Sequence, residues 1–143
     1  MTAREYLREI EQKRVQIGLL KAELDACYAS INLLPGVSYD GVNVQTTTKD
    51  SKVLRMIDEA TDKYRKLRDL IETYDHERTE RMELINRLGV PEYIAVLTGR
   101  YVQGLRFWEI ARKMGRSERR TYELHRRALA ELEGMMEEVE HGR

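Results

Sequence analysis

The sequence predicts an all-α protein: a long N-terminal antiparallel helical hairpin, coiled-coil-like, followed by a C-terminal helix-turn-helix. Three observations predict it. Apolar residues recur at alternating steps of three and four over most of the first ninety positions. A single break rich in turn residues, 35–49, interrupts that repeat. The last third then places glycines and a serine where two short helices have to meet. The organisation that follows is an arm over 1–89, with its loop at 35–49, and a compact domain over 90–143 that ends in an acidic tail.

The first helix is read from two rows. Ala3, Ile10, Ile17, Leu24 and Ile31 recur every seven residues, and Tyr6, Lys13, Leu20, Cys27 and Leu34 recur with them at an offset of three. Together they form one seam, interrupted at Lys13. Pro35-Gly36 ends this helix and Asp40-Gly41 marks a turn, with a short extended segment possible around Val42 and Val44. From Asp50 or Ser51 a second seam runs Val53, Ile57, Ala60, Tyr64, Leu67, Ile71 and Tyr74, then through Arg78 and Arg81 to Ile85 and Leu88. Each helix should be about 50 Å long at 1.5 Å per residue. Arginines on the seam imply either that the helices splay there or that they pair with glutamates of the first helix. Two helices bury little by themselves, so the arm is expected to make a homodimer or higher oligomer, or to dock on another protein.

In the C-terminal domain Pro91 suits a first helical turn, and Tyr93, Ile94, Val96, Leu97 and Tyr101 follow at helical spacing. Gly104 breaks the chain before a short helix, WEIARKM, in which Trp108, Ile110, Ala111 and Met114 are expected in the core. Gly115 turns the chain, because glycine accepts backbone angles that other residues resist. Ser117 should cap the next helix by accepting from the N–H of Arg119 or Arg120. Leu124, Ala128 and Leu132 make its buried stripe, which leaves Glu118, Arg119, Tyr122, Glu123 and Arg126 on other faces. That layout permits the second helix to lie in a DNA major groove.

Charge supports a nucleic-acid partner for this segment alone. The chain is neutral, with 25 basic and 25 acidic side chains. Between Arg100 and Arg127, however, nine Arg or Lys stand against three Glu, and between Glu131 and Arg143 five Glu stand against one Arg. Arg119 is placed to read guanine by a bidentate pair. Arg116, Arg120, Arg126 and Arg127 are suited to phosphates, which fix register without reading sequence. Glu123 could accept from a cytosine amino group or orient an arginine, and Tyr122 could touch backbone or a thymine methyl. His125 is expected to be a packed or surface residue. The acidic tail reads as a solvated helix end, with autoinhibition as the other possibility.

Other chemistries find no support in the sequence. Cys27 is the only cysteine, which excludes an internal disulfide and fits a reducing compartment. No apolar run reaches the about 20 residues of a membrane span, and no signal-peptide pattern opens the sequence. His76, His125 and His141 lack metal-ligand spacing, the glycines form no phosphate loop, and no catalytic constellation stands out. The expectation is a non-enzyme without cofactor or metal.

The segment YVQGLRFWEIARKMGRSERRTYELHRRALAEL, Tyr101 to Leu132, resembles region 4 of bacterial sigma factors, which grips the −35 promoter element. The run RY-x-x-G-x-x-x-x-EIA, Arg100 to Ala111, and the ending H-x-x-AL, His125 to Leu129, resemble a narrower group. These are small phage and prophage proteins related to late-gene transcriptional activators. The sigma-like part covers about a quarter of the chain. The resemblance implies a promoter-binding regulator in the bacterial cytoplasm, with double-stranded DNA and RNA polymerase as partners. It matches Ser117 to the capping Thr and sets Glu118, Arg119, Tyr122 and Glu123 at base-facing positions. Sigma factors usually carry a basic residue where Tyr122 stands, so a −35 preference does not transfer. No counterpart of the promoter-melting region 2 is present, which argues against a complete sigma factor. Two alternatives stand beside this expectation: a helical adaptor that does not read DNA, and a packaging protein like small terminase subunits, which usually place the reader first.

Overall fold

A computed structural model of the chain describes residues 1–34 and 48–142. Five α-helices and one π-helical turn account for nearly all of them, with no strand among the described residues. The helices are α1 (Ala3–Asn32), α2 (Thr48–Asn86), α3 (Pro91–Leu97), α4 (Phe107–Met114) and α5 (Glu118–His141), with the π turn at Thr98–Val102. The turn and the extended segment expected around Asp40 to Val44 lie outside the described residues. The chain forms two compact units, Met1–Lys13 with Tyr74–Arg143, and Arg14–Thr73.

The first unit gathers both ends of the sequence. Thr2 and Glu5 open α1 with a reciprocal cap: the Glu5 N–H donates to Thr2 Oγ1 at 3.2 Å and the Thr2 N–H donates to the Glu5 carboxylate at 3.0 Å. Ala3, inside that cap, and Leu7, one turn later, enter a core with Ile85, Leu97, Tyr101, Ala128, Leu129 and Leu132. Leu7 and Leu132 are fully buried, which contributes about 1.5–3 kcal/mol each by removal of apolar surface from water. Residues 89 and 90, where the sequence divides arm from C-terminal domain, lie inside this unit. Tyr6, Leu84, Leu88, Tyr93 and Met136 pack around the same core.

Polar contacts join α1 to α2 within this unit. Arg81 is 4% exposed; it donates to Glu9 Oε2 at 2.5 Å and to the Tyr6 carbonyl at 3.2 Å, with its guanidinium over the Tyr6 ring at 4.0 Å. Lys13 pairs with Glu77. The interruption of the first seam at Lys13 thus meets a carboxylate. Of the two explanations for arginine on the second seam, Arg81 takes the ion pair. Arg78 is exposed, and Glu77 stands inward in its place.

In the second unit the later part of α1 meets the earlier part of α2. Leu24, Ile31, Ala60 and Leu67 are buried together, with Ile17, Leu20, Cys27, Tyr28, Met56 and Ile57 packed half-buried around them. Lys63 stands 3.8 Å from Glu23. Tyr64 and Ile71, expected on the seam, are 51% and 38% exposed. One facing helix is too narrow to cover the full apolar width of α2.

Candidate nucleic-acid interface

The α4–α5 segment is fixed by its turns before any side chain is considered. Gly104 and Gly115 have φ of 71° and 65°, the left-handed region that glycine occupies without a Cβ penalty. Glu109 accepts from the Arg106 N–H at 3.2 Å and starts α4. At its other end the N–H groups of Gly115 and Arg116 donate to the carbonyls of Arg112 and Ala111, closing the helix through Gly115. Ser117 then caps α5: its Oγ accepts from the Arg120 N–H at 3.1 Å, and its carbonyl accepts from Thr121 Oγ1 at 2.9 Å. Two residues, Arg116 and Ser117, are all that separate Gly115 from α5.

Packing holds the two helices beneath this turn. Val96, Ile110 and Leu124 form a small core, with Tyr93, Leu105 and Met114 against it. Gly99 in the π turn lets α4 approach, since a Cβ there would meet Ile110 Cγ1 at 3.1 Å. Leu124, Ala128 and Leu132 are all buried, as their spacing predicts. Trp108 is not in the core. It is 49% exposed. Phe107, one residue earlier, takes the inward position, with its ring 4.3 Å from Tyr122 and 4.9 Å from His125 between centroids.

His125 lies beneath this surface, 6% exposed, with Nε2 2.8 Å from the Tyr101 hydroxyl. Burial, and next the nearby Arg4 and Arg100 guanidinium groups, lower its pKa to about 4. The ring is therefore neutral near pH 7, and Nε2 and the Tyr101 hydroxyl share one hydrogen bond whose donor is set by the ring's tautomer. Burial raises the Tyr101 pKa, against the opposing pull of Arg4, Arg100 and Arg8. A lone His in the sequence gave no sign of this pair, because its partner lies 24 residues away on another element.

The nine residues predicted for DNA contact separate into two sets. Glu118, Arg119, Tyr122, Arg126 and Arg127 are exposed on α5, and Ser117 and Arg116 are exposed at its start. Arg120 and Glu123 are half-buried and paired with each other at 3.3 Å. Arg116 pairs with Glu92 at 3.1 Å. Arg119, Arg126 and Arg127 make no ion pair among the described residues, and the same is true of Arg112 and Lys113 on α4. Arg100, counted in the basic segment, is tied to Glu11 at 2.9 Å.

Arg100, Gly104, Arg106, Phe107, Trp108, Glu118 and Tyr122 border a shallow groove beside the start of α5. Sequence reasoning missed Trp108 and Arg106 there; only the register of α4 against α5 reveals them. The acidic tail continues α5, with Leu132 buried and Met136 packed on the first unit's core. Among the described residues no cluster of His, Cys, Asp or Glu could hold a metal ion, and no helix is long and apolar enough to cross a membrane. Comparison of the chain with protein-family models, with curated proteins and with solved structures gave no match.

Proposed function

We propose that the chain is a sequence-specific, DNA-binding transcriptional regulator of phage or prophage type, acting at promoters through a helix-turn-helix formed by α4 and α5. The observation that carries this reading is the face of α5 over its first three turns. Arg119, Tyr122, Arg126 and Arg127 are exposed there on a helix whose start is pinned by Gly115 and Ser117. A reading helix needs this combination: a rigid entry, a stripe anchoring one side, and unpaired long donors on the other.

The roles follow from charge and position. Arg119, one residue into α5, presents its fork to a guanine edge, while Arg126 and Arg127, two turns on, neutralise phosphates. Arg112 and Lys113 at the end of α4 extend the phosphate track. Arg116 and Arg120 first have to leave Glu92 and Glu123, so they contribute less than their charge suggests. Tyr122 is held by Phe107 at 4.3 Å and offers a fixed aromatic edge. The resemblance of Tyr101 to Leu132 to sigma region 4 supports promoter DNA as the ligand. The two long helices, as an antiparallel hairpin, would present a surface to RNA polymerase or join copies of the chain.

The test is selection from a randomised duplex pool at two salt concentrations, followed by sequencing. An enriched motif is expected, with affinity falling at a log–log slope of about −0.9 per neutralised phosphate. Retention without a motif would point to non-specific handling, as in packaging. No retention at low salt would refute DNA binding and favour an adaptor.

A further inference from the structure

α1 is apolar on two opposite sides over residues 15–33, and α2 covers only one of them. Ile17, Leu20, Leu24, Cys27 and Ile31 face the second unit's core. On the far side Val15, Leu19, Ala22, Ala26, Ala29 and Leu33 follow at steps of four, three, four, three and four, and all six are exposed. At about 100° per residue this second row lies about 160° around the helix from the first. Val15, Leu19 and Leu33 are 54%, 62% and 83% exposed. Leu33 continues the helical path, its N–H donating to the Ala29 carbonyl at 3.1 Å. A helix at the edge of a protein carries polar residues on such a face; a helix apolar on both sides belongs between two neighbours.

We propose that this outer face of α1 packs against the same face of a second copy of the chain, with the two helices antiparallel about a two-fold axis level with Leu24. The row is self-complementary in that register. Ala22 falls opposite Ala26 of the other copy, Leu19 opposite Ala29, and Val15 opposite Leu33, so each first-type heptad position meets a second-type one, as antiparallel pairs require. Small side chains meet at the centre, where the backbones come closest, and bulky ones close the two ends. The contact spans about 27 Å at 1.5 Å per residue. A two-fold contact uses one patch twice and closes on itself, which suits a face that matches its own reverse.

The rim fits the same occupant. Lys21 and Asp25 stand one turn apart along one edge, and the register brings each Asp25 within about 3 Å, measured along the axis, of the level of the other copy's Lys21. That edge is neutral in sum. The two Asp25 side chains lie about 3 Å apart along the axis as well, each with the other copy's Lys21 at the same offset, and on the other edge Glu23 already has Lys63 at 3.8 Å. A partner of strongly basic or acidic character finds no matching row here. The inference concerns the second unit alone and does not depend on DNA binding.

The test is the mass of the full chain in solution by light scattering, with and without Ala26→Glu. The wild type is expected at twice its 16.9 kDa chain mass. Ala26 is exposed, so its substitution should leave helicity by circular dichroism unchanged while returning the mass to one chain. In a second arm, Ala22→Cys with Ala26→Cys in a Cys27→Ser background should give disulfide-linked dimers on mild oxidation. This arm decides the matter if Ala26→Glu fails to fold. A wild type of single-chain mass, or a multimer that Ala26→Glu leaves intact, overturns the proposal, as does a cysteine variant that stays monomeric on oxidation.

Discussion

Protonating His125 should loosen the first unit, by an amount that follows from its surroundings. The ring is buried among Tyr101, Phe107 and the Arg4 and Arg100 charges, and its pKa falls from 6.5 to about 4. In the unfolded chain it returns to about 6.5. Above pH 6.5 both states hold a neutral ring, and stability is at its full value. As pH falls below 6.5 the unfolded state binds the proton first, so stability is lost until the folded-state pKa is passed near 4. A difference of about 2.5 pKa units at 1.36 kcal/mol each sets the total at about 3 kcal/mol, most of it gone by pH 4.5. Urea unfolding at pH 7 and pH 4.5, for wild type and His125→Gln, measures it. Carboxylates titrate over the same range in both proteins, so the difference between the two pH slopes isolates the imidazole. Equal slopes would refute the reasoning, because they would mean that the buried ring gains its proton as easily folded as unfolded.

Other substitutions separate the structural residues from those proposed to contact DNA. Arg81→Ala should cost about 2–3 kcal/mol, since it empties a buried site and leaves Glu9 without its partner, whereas exposed Arg78→Ala should stay within about 0.5 kcal/mol; thermal denaturation distinguishes them. Ser117→Ala should cost about 1 kcal/mol through the lost cap. Gly115→Ala should cost about 1–2 kcal/mol through the left-handed backbone. Arg119→Ala is expected to lose discrimination between sites by about 1–3 kcal/mol, while Arg126→Ala weakens every duplex alike and lowers the salt slope by about one. Trp108 is the only tryptophan and is half exposed beside Tyr122, so its emission should change on addition of bound duplex; unchanged emission would place the contact elsewhere.

Helical character was legible wherever one face had to be buried. The stripe Leu124, Ala128 and Leu132 is an i, i+4, i+8 row, and the same pattern decides burial in the structure. Turn residues were equally readable, because Gly115 and Ser117 act within a few bonds of themselves. What the sequence hid depends on partners distant along the chain. Leu7 lies outside the heptad rows yet is fully buried, because the core it joins includes α3, the π turn and α5 as well as α2. Trp108 and Phe107 are neighbours, and composition cannot say which ring faces inward; the register of α4 on α5 decides it. The buried Tyr101–His125 pair and the Arg100–Glu11 tie were hidden for the same reason. Among the candidate contact residues, exposure was legible, but the pairing of Arg116 with Glu92 was not.

The first unit draws both on the opening turns of α1 and on α5, more than a hundred residues later in the sequence. A ribosome therefore releases Ala3 and Leu7 long before Ala128, Leu129 and Leu132 exist to cover them. Residues 90–143 cut out alone would carry an apolar surface where α1 and α2 belong, and that fragment should behave as a sticky, partly ordered peptide. Completion of α5 is in this sense a check on the first unit: a product truncated before residue 124 lacks Leu124, Ala128 and Leu132 as well as Arg126 and Arg127, so it cannot close that core.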